Sequence, residues 1–507
     1  MKKVLGLLLF LSTASYAASP FVPLERYQRE YRLLERAKEI GFIKDLDLTY
    51  RPLTEEDFAK AIVEIYNNRH IDPSLAKKIF DELYQEFKPT VDSLLKEESL
   101  NYIKPLNDLS FEAYSLSGTD QLKLPYKEGF KVENGLNGRV RFSSYAKWNG
   151  FVLYVEPKVR NTVIRLNRGY ILFERNNVRI SFGRSSVVWG APPNGGLLFT
   201  DNIRPWLMFK VENPQFAEFP WVLKPLGEWK LSTFVSQLEK ERPRSYAHVI
   251  GMRFSWRPFG VKNLELSASR AIQFGGAGRP NYHSIRDYWN VLIAKQENEP
   301  GSRYDNNQLM SYEVVYYLNW LNKYKFQPFK GGKFYFVYGG DDAVKPRGPG
   351  GFPLPLASGH IAGLSLTTGY TDFNVQYTET TDSAAYWYSH HNYPEGFTYH
   401  GFIIGSAIGG DSKEIRFSLE HDFPFGNTEL SYSYQRHGIY HSVTEEKIHS
   451  YTLKLDRKLN LTQLFPLKVF TSRLYFSFSY NRADNYLNKP GEDKDYVVSG
   501  LGLTFKF

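Results

Sequence analysis

The last residues of the chain read Val497-Val498-Ser499-Gly500-Leu501-Gly502-Leu503-Thr504-Phe505-Lys506-Phe507. Every second side chain from Val497 to Phe507 is apolar or small, and the positions between them from Gly500 onward hold glycine, threonine or lysine. A period of two places successive side chains on opposite faces of a β-strand. The stretch therefore predicts a strand with one apolar face and one polar or open face.

The same period of two recurs from about Asn107 to the C-terminus. It is clearest in the stretches 250–257, 312–320, 430–435 and 474–481. Antiparallel sheets commonly show this alternation, because one face packs and the other meets solvent. Alternation alone does not say whether the apolar faces meet a protein core, as in a secreted sandwich, or lipid.

Four features favour lipid and a closed barrel over a large secreted β-protein. The alternation continues without a helical or Rossmann-like unit, and the chain ends in a phenylalanine strand similar to the C-terminal signal of outer-membrane barrels. Aromatic side chains lie near the predicted strand ends, where barrels carry interfacial girdles: Trp148, Trp256, Trp320 and Tyr480. The polar faces carry isolated charges that suit a wet or plugged lumen: Arg139, Arg141, Glu265, Glu420, Lys454 and Asp456.

The strand number follows from the length of the alternating region. Only a closed barrel lets a sheet cross lipid without unpaired edges. At roughly 20 to 25 residues per strand and loop, residues 107–507 hold about 16 to 18 strands, an even number in bacterial barrels. We predict a mainly β fold, a large antiparallel transmembrane β-barrel with 18 strands favoured, preceded by an α-helical bundle.

The N-terminal region divides into two parts. Lys2 and Lys3 precede a short apolar run, and Ser15-x-Ala17 has the small residues of a cleavage site, so residues 1–17 predict a secretory signal peptide. Residues 18–106 show helical spacing, with a capping box at Thr54 and an N-cap and proline at Asp72-Pro73. We expect these residues to form a bundle of three or four short helices whose aromatic faces need something to cover them.

Composition excludes several classes of protein. The chain has 507 residues and no cysteine, which excludes disulfides, thiolate zinc sites, cysteine nucleophiles and lipoprotein anchoring. No later run approaches the ~20 apolar residues of a membrane-spanning helix. The net charge is +9, and it falls by two when the signal peptide is removed. This charge suits an acidic polysaccharide or lipopolysaccharide phosphates.

Three long polar stretches interrupt the strands, at 275–307, 339–359 and 380–411. Loops of this length are usually functional, and in barrels they face outside or fold into the lumen. The middle one lacks the Gly-Lys-Ser/Thr ending of a phosphate-binding loop, and the chain has no Gly-x-Ser-x-Gly elbow. We therefore expect no enzymatic activity and no cofactor.

The third loop is rich in histidine and aromatic residues. The spacing of His390, His391 and His400 matches no metal-ligand pattern, so we expect hydrogen-bonding histidines and no metal. The surrounding rings suit either sugar stacking or an interfacial aromatic belt, and the sequence leaves both open. The rings are Tyr386, Trp387, Tyr388, Tyr393 and Tyr399.

Several motifs, in chain order, resemble those of the capsule-assembly Wzi family. The most extensive is the stretch 182–197, Phe-Gly-Arg-Ser-Ser-Val-Val-Trp-Gly-Ala-Pro-Pro-Asn-Gly-Gly-Leu, which continues into Asn202-Ile203-Arg204-Pro205. Further similar segments are 51–54, 251–253, 269–279, 307–309, 396–401 and 405–411. The resemblance implies an outer-membrane barrel with the N-terminal helical bundle, residues 18–106, on its periplasmic side. It also implies that the barrel, residues 107–507, holds capsular polysaccharide at the surface of a Gram-negative cell in a lectin-like way.

The resemblance and the loops together nominate ligand-binding residues. The nominated residues are Arg184, Trp189, Arg204, Arg270, Arg279, Trp387, Tyr393, His400 and Asp411. The expected partners are surface or capsular polysaccharide, outer-membrane lipid and lipopolysaccharide, with no nucleic acid and a monomer favoured. A porin or polysaccharide-conducting channel is the alternative, and a lipid or glycan hydrolase, without a nucleophile motif, is a weaker third.

Overall fold

A computed structural model describes residues 18–507 apart from 97–100, 161, 281, 283, 297–300, 325–326, 344–354, 383–385, 460, 462 and 465–466. Its main feature is a closed antiparallel barrel of 18 strands, in which the first strand pairs with the last. The predicted barrel and the favoured strand number are therefore confirmed. The predicted signal peptide, residues 1–17, and most of the second long loop lie outside the described residues.

The barrel strands follow one another around the wall in chain order. Their bounds are β1 Tyr102–Lys123, β2 Lys131–Trp148, β3 Phe151–Arg160, β4 Val163–Arg175, β5 Val178–Ser185, β6 Trp206–Glu212, β7 Glu228–Gln237, β8 His248–Arg257, β9 Leu264–Phe274, β10 Asn307–Tyr317, β11 Gly331–Ala343, β12 Pro355–Thr367, β13 Thr371–Glu379, β14 Ser412–Phe423, β15 Gly426–His437, β16 Glu446–Leu459, β17 Thr471–Asp484 and β18 Lys494–Lys506.

The sequence alternation separates a lipid-facing surface from a lumen-facing one. Phe209, Val235, Ile250 and Ile272 are register partners across β6 to β9, and the first two are well exposed. Phe234, one residue from Val235, packs inward against Trp189. Exposed apolar side chains that point outward along paired strands suit contact with lipid. The chain is thus a transmembrane barrel of the outer-membrane type.

Helices occupy the N-terminal segment. They are α1 Gln28–Ile40, α2 Glu55–Asn67 and α3 Pro73–Leu95, and a fourth, α4 Ile285–Leu292, lies in the loop between β9 and β10. The capping box of α2 forms as its sequence predicts, with Thr54 and Asp57 exchanging backbone-to-side-chain hydrogen bonds. Among the described residues, no helix is both long and apolar enough to cross a membrane.

The N-terminal helices fill one end of the lumen, which we call the terminus end because both chain ends of the barrel lie there. Most of α1 is buried, including six of its charged side chains, and five of these six form ion pairs with the wall. Arg36 contacts Asp372 of β13 at 2.7 Å and Asp422 of β14 at 2.5 Å. Other ion pairs join the segment to the wall: Arg26–Asp108, Arg26–Glu156, Glu25–Arg141, Asp57–Arg179, Lys38–Glu265 and Glu30–Arg473.

Two long loops fill the opposite end, which we call the loop end. They are residues 186–205, between β5 and β6, and residues 380–411, between β13 and β14. Their buried rings form one core with inward side chains of the wall, among them Trp189, Phe199, Trp387 and Phe397 packed against Phe234 and Leu309. The third predicted loop therefore folds into the lumen, and a loop that its length alone did not identify, 186–205, does so as well.

Candidate functional site

Three arginines meet at the rim of the loop end. Arg165 lies near the start of β4 and is exposed, Arg184 lies near the end of β5, and Arg204 closes the 186–205 loop. The pairing of Arg184 with Leu207 brings it close to Arg204 along the rim. Arg165 and Arg184 both influence the ionisation of Arg204, which places the three guanidinium groups in one neighbourhood.

His400 joins this group from the 380–411 loop. Nη2 of Arg204 contacts Nε2 of His400, and the guanidinium lies 5.4 Å from the ring centroid of Tyr399. Burial and the three arginines lower the pKa of His400 to about 4 against the weaker, opposite effect of Glu241. The ring is therefore neutral at pH 7, and its Nε2 accepts a hydrogen bond from Arg204.

Further cations extend the group along the rim of β1 to β3. Nζ of Lys123 contacts the carbonyl of Gly401, next to His400. Arg160 donates to the carbonyl of Lys131 at 2.7 Å and lies 4.8 Å from the ring centroid of Phe130. We call the whole set the basic rim: Lys123, Lys131, Arg160, Arg165, Arg184 and Arg204.

The basic rim lacks the neutralising partners that characterise the rest of the barrel. Arginines of the lumen wall, such as Arg141 and Arg179, each contact two or more carboxylates. Within the described part of the chain, no ion pair is formed by any of the six basic-rim residues. Unpaired arginines at an exposed rim present guanidinium donors that can bind carboxylate, sulfate or phosphate groups in a bidentate manner.

Three of the nominated residues, Arg184, Arg204 and His400, thus come together. The nominated rings Trp189, Trp387 and Tyr393 lie instead in the loop-end core, with at most 3% of each exposed. Their observed role is to hold the two loops inside the lumen. Contact between these rings and a sugar stays a prediction.

The remaining nominated residues connect segments of the chain. Arg270 faces outward from β9 and contacts the carbonyl of Leu292 and the side chain of Gln308. Arg279 donates to Oδ1 of Asn392 at 2.9 Å and so joins the 275–306 and 380–411 loops. Asp411 accepts the backbone N–H groups of Tyr440 and His441. Ligand binding by these residues also stays a prediction.

Two groups of interest lie outside the nominated set, although Tyr386 is one of the third-loop rings whose composition suits sugar stacking. Arg165 lies in no distinguishing motif. It approaches Arg204 only because β4, which carries Arg165, pairs with β3 on one side and with β5 on the other. Tyr386 and Tyr440 are each about half exposed, and the ring of Tyr386 lies edge-on to that of His441 at 5.3 Å. The turn that carries Tyr440 and His441 is short and has no sequence signal of function.

A second histidine group contains the residue types of a metal site. Asp305, His390 and His391 place their ligand atoms within 4.8 Å of one another. The backbone N–H of Asn392 donates to Nδ1 of His390 at 3.1 Å, so the proton of the neutral ring lies on Nε2, which faces Asp305 at 3.8 Å. A metal on Nε2 requires the opposite tautomer. The geometry therefore favours hydrogen-bonded histidines.

Comparison with known proteins agrees with this architecture. Residues 113–493 match the family model described as capsule assembly protein Wzi. An uncharacterized 55.8 kDa protein in the cps region of Klebsiella pneumoniae is 26% identical over 396 residues, which cover 75% of this chain and 68% of that protein.

A solved structure shares the fold. Wzi of Escherichia coli, described as an outer-membrane protein involved in group 1 capsule assembly and a carbohydrate-binding β-barrel, superposes with a TM-score of 0.69 at 20% identity. The superposition covers 96% of this chain and 99% of the E. coli chain. Because the family model spans well over half of the sequence, this chain belongs to the Wzi capsule assembly family.

Proposed function

We propose that this protein binds an anionic surface polysaccharide at its loop end and helps to assemble or retain it on the cell, without catalysis. The family and the carbohydrate-binding description of the E. coli protein support a glycan ligand. In this proposal the terminus end faces the periplasm and the loop end faces outward. Long loops on the outer side and short turns on the inner side are the usual arrangement of such barrels.

The basic rim is the observation that carries the proposal. Acidic capsular sugars bear carboxylate groups, and an arginine matches a carboxylate with two parallel hydrogen bonds. The rim offers six cations, and no carboxylate of the described chain forms an ion pair with any of them, whereas lumen arginines such as Arg141 and Arg179 are paired. A long polyanion laid along β1 to β6 would replace water and counterions at each of these positions.

The exposed rings of Tyr386 and Tyr440 give a second contact type. The flat face of a pyranose ring packs on an aromatic side chain while polar groups bind its hydroxyls. Asp411 fixes the turn that carries Tyr440, with backbone hydrogen bonds of 3.0 Å and 2.8 Å at Tyr440 and His441. Asp411, one of the nominated residues, would then act by positioning the ring of Tyr440.

A binding experiment tests the charge argument. The triple variant Arg165→Gln, Arg184→Gln, Arg204→Gln should bind a uronic-acid polysaccharide on the order of 10-fold or more weakly, since each charged hydrogen bond is worth about 1.5–3 kcal/mol. Calorimetry in detergent, with neutral dextran as the comparison glycan, measures this. Binding of the wild type should also weaken as salt is raised.

The matched control neutralises three exposed cations elsewhere on the loop end. Lys447→Gln, Arg482→Gln and Lys489→Gln together remove the same charge from positions that already have acidic neighbours. This variant should keep most of its affinity. Equal binding by both triple variants, or equal binding of dextran and the acidic glycan by the wild type, would refute the proposed site.

Retention is tested in cells of a capsulated host. Deletion of the gene should move surface polysaccharide from the cell fraction to the medium, and the wild-type gene should restore it. The basic-rim triple variant should restore it poorly at equal protein level in the outer membrane. Full restoration by that variant would separate retention from the basic rim.

A further inference from the structure

The helix α4 lies on the outside of the barrel. Its buried Val291 packs in one cluster with Ile272 and Phe274 of β9, together with partly buried Ile250 of β8. Ile250 and Ile272 are register partners on the face that also carries exposed Phe209 and Val235. The helix therefore covers the lipid-facing wall close to its loop end, and not the lumen.

Polar groups of the wall are hidden beneath this helix. Arg270 and Gln308 lie on the same outward face, where a bare guanidinium would otherwise meet lipid. Arg270 instead contacts the carbonyl of Leu292 at the end of α4, and also the side chain of Gln308. An ionised group in apolar surroundings is costly unless it is hydrogen-bonded. The helix and the wall thus complement each other at this position.

The opposite side of α4 is exposed, as far as the described residues show. Ile285, Trp289 and Ile293 recur every four residues and so form one stripe. Their exposed fractions are 91%, 60% and 52%. The stripe continues the apolar outer surface of the wall on which the helix rests. Exposed Arg286 and Lys295 flank it.

We propose that residues 284–296 form an interfacial foot that inserts into the outer leaflet of the surrounding membrane. The Ile285, Trp289 and Ile293 side chains enter the acyl region, and Arg286 and Lys295 reach the headgroup phosphates. Tryptophan and flanking cations are the residues that interfacial helices use for this purpose. The foot holds the loop end of the barrel at a fixed depth in the leaflet. It is independent of the proposed glycan site.

The absence of native cysteine allows a direct test on the full-length protein. Ile285→Cys and Ile293→Cys variants, each labelled with a nitroxide and reconstituted in phosphatidylcholine bilayers, report collisions with oxygen and with a water-soluble nickel chelate. We expect oxygen to dominate, as it does for a lipid-exposed site. Labels that collide mainly with the nickel chelate would overturn the proposal.

Reference labels define the two limits. Val443→Cys lies in the exposed turn between β15 and β16 and should report water, and Leu430→Cys on the outer wall should report lipid. Retained heat-modifiable migration shows that each variant is folded. In bilayers that also contain lipopolysaccharide, Arg286→Gln with Lys295→Gln should change the depth of the Ile285→Cys label. An unchanged depth would refute the role of the two cations.

Discussion

At the scale of single residues, His400 orients the guanidinium of Arg204 while it stays neutral. The neighbouring cations and burial hold the pKa of His400 far below its ordinary value of 6.5. A folded-state pKa below the unfolded one means that the stabilising contribution is complete above about pH 6.5 and is lost as the pH falls towards 4. At neutral pH His400 therefore orients Arg204 without adding charge.

Removal of Arg204 should reverse part of this shift. In the variant Arg204→Gln we expect the pKa of His400 to rise from about 4 towards 6.5, because the nearest cation is gone. A titration of the labelled histidine rings by NMR measures it. Arg482→Gln, distant from the rim, serves as the control, and an equal pKa of His400 in both variants would contradict the assigned contact.

Glycine positions show a second residue-scale constraint. A Cβ on Gly251 would lie 2.2 Å from Cε1 of Phe234, so the missing side chain makes room for that ring. Gly183 has φ of +134°, and a Cβ there would lie 2.3 Å from the carbonyl oxygen of Gly169. These glycines of the family-like motifs thus have packing and backbone roles.

At the scale of elements, α1 is held to the wall by charge as well as by apolar packing. Arg36 is fully buried and lies between Asp372 and Asp422 of neighbouring strands. A charge pair of this kind is weak evidence for net stability, but the loss of one partner weakens the compensation of buried carboxylates. Without Arg36, Asp372 keeps its ion pair with Arg32, and Asp422 keeps those with Arg29 and Lys78.

The variant Arg36→Met should consequently lose less unfolding free energy than the about 3–5 kcal/mol expected for a wholly unpaired buried charge, because Asp372 and Asp422 keep other cations. Denaturant unfolding in detergent, followed by circular dichroism, measures the difference. Lys77→Met, at a helical position where 76% of the side chain is exposed, is the control and should change little. A similar loss in both variants would mean that α1 docks through its apolar side alone.

At the scale of the whole molecule, the lumen is filled from both ends. The N-terminal helices occupy the terminus end, and the 186–205 and 380–411 loops occupy the loop end with a shared aromatic core. This arrangement disfavours the channel alternative.

We expect the full-length protein to give no steady conductance in planar bilayers. Deletion of residues 18–101 removes the N-terminal helices from the lumen but leaves the two loops at the loop end. The conductance of that variant should therefore stay below that of an open barrel of equal strand number. An open porin in the same bilayers is the control. Steady ohmic steps from the full-length protein would return the channel hypothesis to first place.

Local patterns in the chain are enough to predict the elements and the barrel. Alternation of side chains, the capping residues at Thr54 and Asp72, and the length of the alternating region are local properties, so they predict strands, helices and strand number without knowledge of contacts. The family-like motifs added Arg184, Arg204 and His400 to the expected site.

Which residues contact one another depends on how the whole chain folds. Arg36 and Asp372 are 336 positions apart, and Arg165 reaches Arg204 only through strand register. The inward burial of Trp387 and the outward position of Arg270 likewise depend on how the loops fold against the closed wall. Sequence periodicity assigns a side chain to a face, but ring closure and loop packing set its neighbours, because they depend on interactions between residues that are remote in the chain.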